Sequence, residues 1–179
     1  MDANAAVGAH SAHPVLLADT IMIEIRPATA ADAPVLATLM HESVRHAGRL
    51  AYSEAECAAW SPAAPDPTRF AMSMLNPALQ FLVAVDADDT IVGFGSLGPT
   101  PDHLDMLYVR HDRIRQGIGS QLIAALEAEA HAQGATEVHT EASRLLRPRL
   151  EWLGYTLVAA EWVERQGVRI ERFRMMKAL

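Results

Sequence analysis

The chain has 179 residues, half of them hydrophobic, and a formal net charge of −7. That length and apolar share suit one domain with a packed core, and the acidic balance argues against a general binder of nucleic acid or of anionic membranes. One cysteine, Cys57, excludes an internal disulfide and fits a reducing cytoplasm, and no apolar run approaches the roughly 18 residues needed to cross a bilayer.

Residues 1–21 are Ala-rich and carry Asp2 but no Lys or Arg, so they lack the basic start of a secretory signal and read as a flexible extension. Met22 directly precedes the first strand and is an alternative start, and residues 22–179 read as a single domain. Ile23 and Ile25 alternate with Glu24 and Arg26 in a strand that Pro27 ends. Thr29, with Asp32 three residues on, caps a helix whose Val35, Leu36, Leu39, Met40 and Val44 recur at helical spacing toward Gly48. Ser53 and Glu56 make a capping-box pair ahead of Cys57, which reads as a buried structural thiol. Asp66-Pro67 opens a further helix to Leu75.

Residues 81–85 and 91–95 form a hairpin around the polar turn 86–90, and Pro99 and Pro101 mark the turn into a strand ending at Val109. A helix from Ile118 to Gln133 stops at Gly134. Residues 136–140 read as a strand, and Ser143 caps a short helix that Pro148 bends or delays. Residues 155–158 and 168–173 are closing strands joined through Gln166-Gly167. The sum is an α/β (α+β) domain with a mixed, mostly antiparallel central sheet and helices on both faces. Its eight histidines show no metal-ligand spacing, and no metal is predicted.

The most informative stretch joins the strand ending at Val109 to the helix starting at Ile118. The first N–H groups of a helix have no internal partner and lie at the positive end of its dipole. Gly117 and Gly119 have no Cβ, so an anion can approach the main chain closely, and Arg115, or Arg113 in its place, can add a charge-assisted contact. Leu122 stands where a Rossmann fingerprint needs its third glycine, and Ser120 follows Gly119 where a Walker loop needs lysine. Both nucleotide patterns fail.

The order of Val109, Gly117-Ile118-Gly119 and an amphipathic helix resembles the acetyl-CoA pyrophosphate loop of the GNAT superfamily of N-acetyltransferases. Residues 25–32 resemble that family's first strand and helix start, 91–95 its third strand, and Glu151-Trp152-Leu153-Gly154-Tyr155 its closing element. Tyr52-Ser53, Trp60-Ser61-Pro62 and the tail 172–177 are similar to a bacterial branch of it. Ile114 departs from the Arg or Gln usual at the loop's first position, Leu150 from a tyrosine that many members use to protonate the leaving thiolate, and Ser143 from a common asparagine.

The resemblance implies an acetyl-CoA-dependent N-acetyltransferase that moves the acetyl group directly from the thioester to the primary amine of a small molecule. A protein lysine or N-terminal acetyltransferase and a non-catalytic acyl-CoA-binding sensor stay open beside it. It also implies that the strand before the loop splays from its neighbour and frees main-chain groups near Leu107, Tyr108 and Val109 for the pantetheine arm. The implied cofactor set is those three with Arg115, Gln116, Gly117, Ile118, Gly119, Ser120 and Ser143. The basic cluster Arg144, Arg147 and Arg149 reads either as a solvated helix face or as a contact for cofactor phosphates.

Acetyl transfer needs a neutral amine, donors for the developing oxyanion and a proton for the thiolate. A mid-strand Asp is unfavourable by propensity, which makes Asp105 the candidate base, its pKa raised by burial near Met106 and Leu107. Period 2 puts His103 on the face of Asp105 and Tyr108, the candidate acid, on the other. Tyr52 and Trp60 are candidates for the acceptor pocket, core packing being the alternative for Trp60. A small-molecule amine and a second copy of the chain are the expected partners, with neither nucleic acid nor membrane.

Overall fold

The computed structural model describes residues 22–179, and the extension expected at 1–21 lies outside the described residues. Local signals set the element boundaries. Strand β1 (Glu24–Pro27) leads into a 3-10 turn that Thr29 and Asp32 close as a capping box, and α1 (Ala33–His46) follows. Ser53 and Glu56 form a second box at the head of α2 (Glu54–Trp60). The Asp66 carboxylate accepts from the Thr68 N–H at the start of α3 (Pro67–Met74).

Asp32 also accepts two hydrogen bonds from the Arg26 guanidinium, at 2.9 and 3.1 Å, which clips β1 to the entry of α1. The Arg26 fork, helped by Thr29, holds the Asp32 carboxyl down at about 2. A depressed carboxylate stabilises the fold above its ordinary titration range and loses that contribution as pH falls through the folded value. From about pH 5 down to about pH 2 the wild type is therefore expected to lose roughly 2 kcal/mol that Asp32→Asn never had. Urea melts of both proteins at the two pH values measure this. Equal losses would show that the clip contributes nothing.

Strands β2 (Gln80–Val85), β3 (Ile91–Leu97) and β4 (Leu104–Val109) extend β1 into a four-stranded sheet of order β1-β2-β3-β4, every neighbouring pair antiparallel. A second sheet, also antiparallel, has the order β5-β7-β6, with β5 (Glu137–Ala142), β6 (Thr156–Arg165) and β7 (Val168–Ala178). Alternation, reset by a bulge at Val92 between the pairs Ala84↔Gly93 and Val85↔Ile91, sorts the central strands between two layers. Phe81, Val83 and Phe94 pack with Leu36, Leu39 and Phe70 of α1 and α3, whereas Ala84 and Val92 pack with Ile118 and Leu122 of α4 (Ile118–Ala132). Gly95 lets α4 lie this close, because a Cβ there would stand 2.7 Å from Leu126 Cδ1. Leu126, Val138, Leu150, Phe173 and Met175 form the core that joins α4 and α5 (Arg147–Trp152) to the second sheet.

Helices thus cover both faces of mostly antiparallel strands, as expected. Two details differ. The closing strands run well past 155–158 and 168–173, because positive φ at both Gln166 (51°) and Gly167 (76°) makes a two-residue turn that keeps them in register from Arg165↔Val168 outward. The short helix starts at Arg147 with Leu146, not Ser143, as its cap residue, and Pro148 falls in the first turn, where its missing N–H costs nothing. Cys57 is buried as expected, and burial pushes its thiol up.

Candidate active site

The inner edges of the two sheets are β4 and β5, and they run side by side. Among the described residues they touch through one parallel bridge, His103↔His139, where the His139 N–H donates to the Asp102 carbonyl at 2.8 Å. Beyond it the strands part and the outer edge of β4 has no ladder partner. A backbone edge left unpaired inside a fold calls for a ligand or water. At the apex the two imidazoles stack, centroids 4.7 Å apart and 7° from parallel. His103 Nε2 lies 3.0 Å from Glu141 Oε2, and His139 Nδ1 lies 3.7 Å from an Asp102 carboxylate oxygen.

The expected geometry of Asp105 needs correcting. Ser96 pairs with Met106 and Leu97 with Leu104, so one step along β3 spans two along β4 and Asp105 is the extra residue of a β-bulge. A one-residue insertion reverses the faces on either side of it. Leu104 and Leu107 consequently pack on the α4 side, while Met106 and Tyr108 pack on the α1 side. Asp105 and Tyr108 line one pocket instead of opposite faces, and His103 stays outside it at the apex. Asp105 is exposed rather than buried, so its carboxylate meets water.

The pocket opens between the parted strands, with Asp105, Leu107 and Tyr108 on one side and Thr140, Glu141 and Ser143 on the other. Glu141 lies one residue past the strand expected at 136–140, and its place opposite Asp105 follows from the parallel bridge His103↔His139, two residues earlier on each side. Burial pushes the Tyr108 phenol up to about 12, the charge of Asp105 adds to the shift, and Trp60 opposes it. Trp60 lines the pocket and meets the Tyr52 ring edge-on at 5.6 Å. Tyr52 donates its hydroxyl hydrogen to the Glu171 carbonyl at 2.7 Å and accepts from the Arg144 N–H at 2.8 Å. The Arg144 side chain binds Glu171 at 2.8 Å and Glu56 at 3.2 Å, which ties α2, β5 and β7 into one wall. Leu150, at the family's tyrosine position, has no exposed surface and lies in the core, so it offers the pocket nothing.

At the other end of the wedge, Arg115 (φ 63°) and Gly117 (φ 86°) both take left-handed backbone and turn the chain into α4. No side chain caps this helix, and the N–H groups of Gly117, Ile118 and Gly119 donate to no acceptor among the described residues. Alternating backbone of this kind gathers successive N–H groups into an anion-binding nest. A Cβ on Gly117 would meet nothing within 4 Å, and one on Gly119 would project between α4 and β4, 3.6 Å from Val109 Cγ2 and 4.0 Å from Leu107 Cδ2. Leu107 thus links the nest to the pocket. Ser143 lines the pocket and accepts the Leu146 N–H at 3.1 Å.

The arginines sort themselves by partner. Arg113 binds Asp86 at 3.3 Å, which removes it as the loop's substitute cation, while exposed Arg115 has no carboxylate partner among the described residues. Arg147 pairs with Glu151 at 2.8 Å, and Arg149 reaches back to the Ser120 hydroxyl, 2.7 Å away, in the first turn of α4. The expected basic cluster therefore splits into a wall brace, a surface pair and a side chain at the nest. Among the described residues no group of three His, Cys, Asp or Glu side chains is placed to hold a metal ion.

The family model for the acetyltransferase (GNAT) domain matches residues 49–177. A crystal structure from Rhodopseudomonas palustris, described as a GCN5-related N-acetyltransferase (aminotransferase, class II), is 33% identical with a TM-score of 0.80, over 87% of this chain and 95% of that one. The PaiA N-acetyltransferase of Thermoplasma acidophilum, solved with coenzyme A, is 21% identical with a TM-score of 0.68, over 89% and 100% of the two chains. A phosphinothricin acetyltransferase from Sinorhizobium meliloti, solved with acetyl-CoA, is 18% identical with a TM-score of 0.69, over 88% of each chain. At that identity the last two share the fold alone. Comparison with the curated proteins gives no match. The chain belongs to the GNAT acetyltransferase family.

Proposed function

We propose that the protein transfers the acetyl group of acetyl-CoA directly to the primary amine of a small molecule. The observation that carries this reading is the continuity of the wedge, from the N–H nest at Gly117–Gly119, past Leu107, to the pocket holding Asp105, Glu141 and Tyr108. The nest, Arg115 and Ser120 would hold the diphosphate, and the free edge at Leu107, Tyr108 and Val109 would take the pantetheine amides. Acetyl-CoA supplies an acetyl group activated as a thioester.

The chain's own residues handle the protons. An amine arrives as ammonium, and the side chains lining the pocket include the carboxylates of Asp105 and Glu141 but no Lys or Arg, so the local charge draws a cation in. Asp105, open to water on its bulge, takes the proton directly or through one water molecule. Glu141 closes the opposite side, held by His103. The Tyr108 hydroxyl keeps its proton until about pH 12 and stands as the donor for the leaving sulfur. Val44, Trp60, Leu145 and Leu146 make the remaining wall apolar, and the Tyr52–Arg144 brace backs one side of it. That supports a compact amine with an apolar body rather than an extended peptide.

A panel of amines with acetyl-CoA and free-thiol detection tests the reading. The expected result is thiol release with small apolar primary amines and little with lysine-containing peptides. The reverse ranking would transfer the reading to protein acetylation, and bound acetyl-CoA without turnover on any amine would favour a sensor.

A further inference from the structure

We infer that Arg149 and Trp152 form the subsite for the 3′-phosphoadenosine end of coenzyme A, an inference that rests on the acetyl-CoA reading above. Trp152 is 72% exposed, and the Arg149 guanidinium lies 4.0 Å from the centre of its ring. The same guanidinium donates from Nε to the Ser120 hydroxyl at 2.7 Å, which fixes it beside the first turn of α4 and its nest. Its neighbours on the chain are committed elsewhere, Arg144 to Glu56 and Glu171 and Arg147 to Glu151. Arg149 has no carboxylate within 4.0 Å among the described residues. In a chain of net charge −7, a guanidinium kept clear of carboxylates and braced on an aromatic ring is organised for an outside anion.

The chemistry of the ligand fits that arrangement. The ribose 3′-phosphate is a second anionic group one sugar away from the diphosphate that the nest would hold, and a planar guanidinium matches a phosphate with two parallel N–H donors. An exposed indole offers adenine a stacking surface that needs no particular hydrogen-bond pattern. Arg149 would thus make the protein prefer coenzyme A over its 3′-dephospho form, while Trp152 would contribute equally to both.

Calorimetric titration of coenzyme A and 3′-dephospho-coenzyme A into the wild type, Arg149→Gln and Trp152→Leu tests this. Both side chains lie on the surface, and melting curves check that the variants fold. The wild type is expected to bind coenzyme A about tenfold more tightly than the dephospho form, one charge-assisted contact being worth that much. Arg149→Gln should erase the preference while leaving affinity for the dephospho form level. Trp152→Leu should weaken both ligands by about tenfold and preserve the preference. A wild type indifferent to the 3′-phosphate, or an Arg149→Gln protein that loses both ligands equally, would overturn the subsite and leave the acetyl-CoA reading standing. Failure of the wild type to bind either ligand would remove that reading and the subsite with it.

Discussion

Asp105→Asn is expected to lower kcat by about 10²- to 10⁴-fold, the usual contribution of a general base, while affinity for acetyl-CoA stays level. The substitution keeps the size and hydrogen-bonding shape of the side chain and removes its basicity. It leaves the bulge alone, because Asp105 is displaced from the ladder by the pairing of Ser96 with Met106 and Leu97 with Leu104. The deficit should shrink as pH rises, since a growing fraction of the acceptor then arrives neutral. Steady-state kinetics across pH with the best amine from the panel, beside a calorimetric Kd for acetyl-CoA, measure both parts. Unchanged kcat at every pH would transfer the task to Glu141, the other carboxylate of the pocket, and Glu141→Gln is the companion variant.

Gly119→Ala should move stability and binding in opposite directions. Gly119 lies in the first turn of α4, and a Cβ there makes only ordinary contacts, 3.6 Å to Val109 and 4.0 Å to Leu107. Alanine in place of glycine within a helix gains about 0.5–1 kcal/mol, so the melting temperature should hold or rise. The same methyl group would stand beside Val109 and Leu107, where the free edge of β4 leads from the nest toward the pocket and the cofactor would pass. Affinity for acetyl-CoA is expected to fall by at least about tenfold, roughly 1.4 kcal/mol. Gly117→Ala separates the two effects less cleanly, because its φ of 86° strains any side chain. Calorimetry and thermal melts of Gly119→Ala decide the matter, and an unaltered Kd would exclude the nest as the phosphate site.

What could be read without coordinates was local. Thr29 with Asp32 and Ser53 with Glu56 satisfy backbone groups within four residues, so their capping boxes are written in adjacent letters. The same holds for the glycine entry to α4, where the requirement for left-handed backbone and the absence of a Cβ fall on neighbouring positions. The pocket was less legible because its geometry depends on partners far along the chain. The bulge at Asp105 exists only in the register of β4 against β3, and without it a strict two-residue period sends Tyr108 to the wrong face. Glu141 enters through the bridge of His139 to His103, which no short window of sequence contains. The arginines 144, 147 and 149 look alike in a row, and only the positions of Glu56, Glu171, Glu151 and Ser120 tell them apart. The lengths of β6 and β7 were hidden for a different reason: much of β6 is exposed, and its apolar residues fall in runs at 157–160 and 162–163 instead of alternating.

Among the described residues the backbones of the two sheets join at one point, His103↔His139, while packing against α4 and the contacts of α2 with β7 carry the rest. A ligand lying along the wedge is in effect the missing strand, and it binds only when both sheets are in place. Mass action then makes it part of the folded protein's own stability, worth about 2.7 kcal/mol at a hundred times its dissociation constant. If acetyl-CoA is that ligand, resistance to proteolysis should rise with its concentration, which limited proteolysis at graded acetyl-CoA concentrations measures.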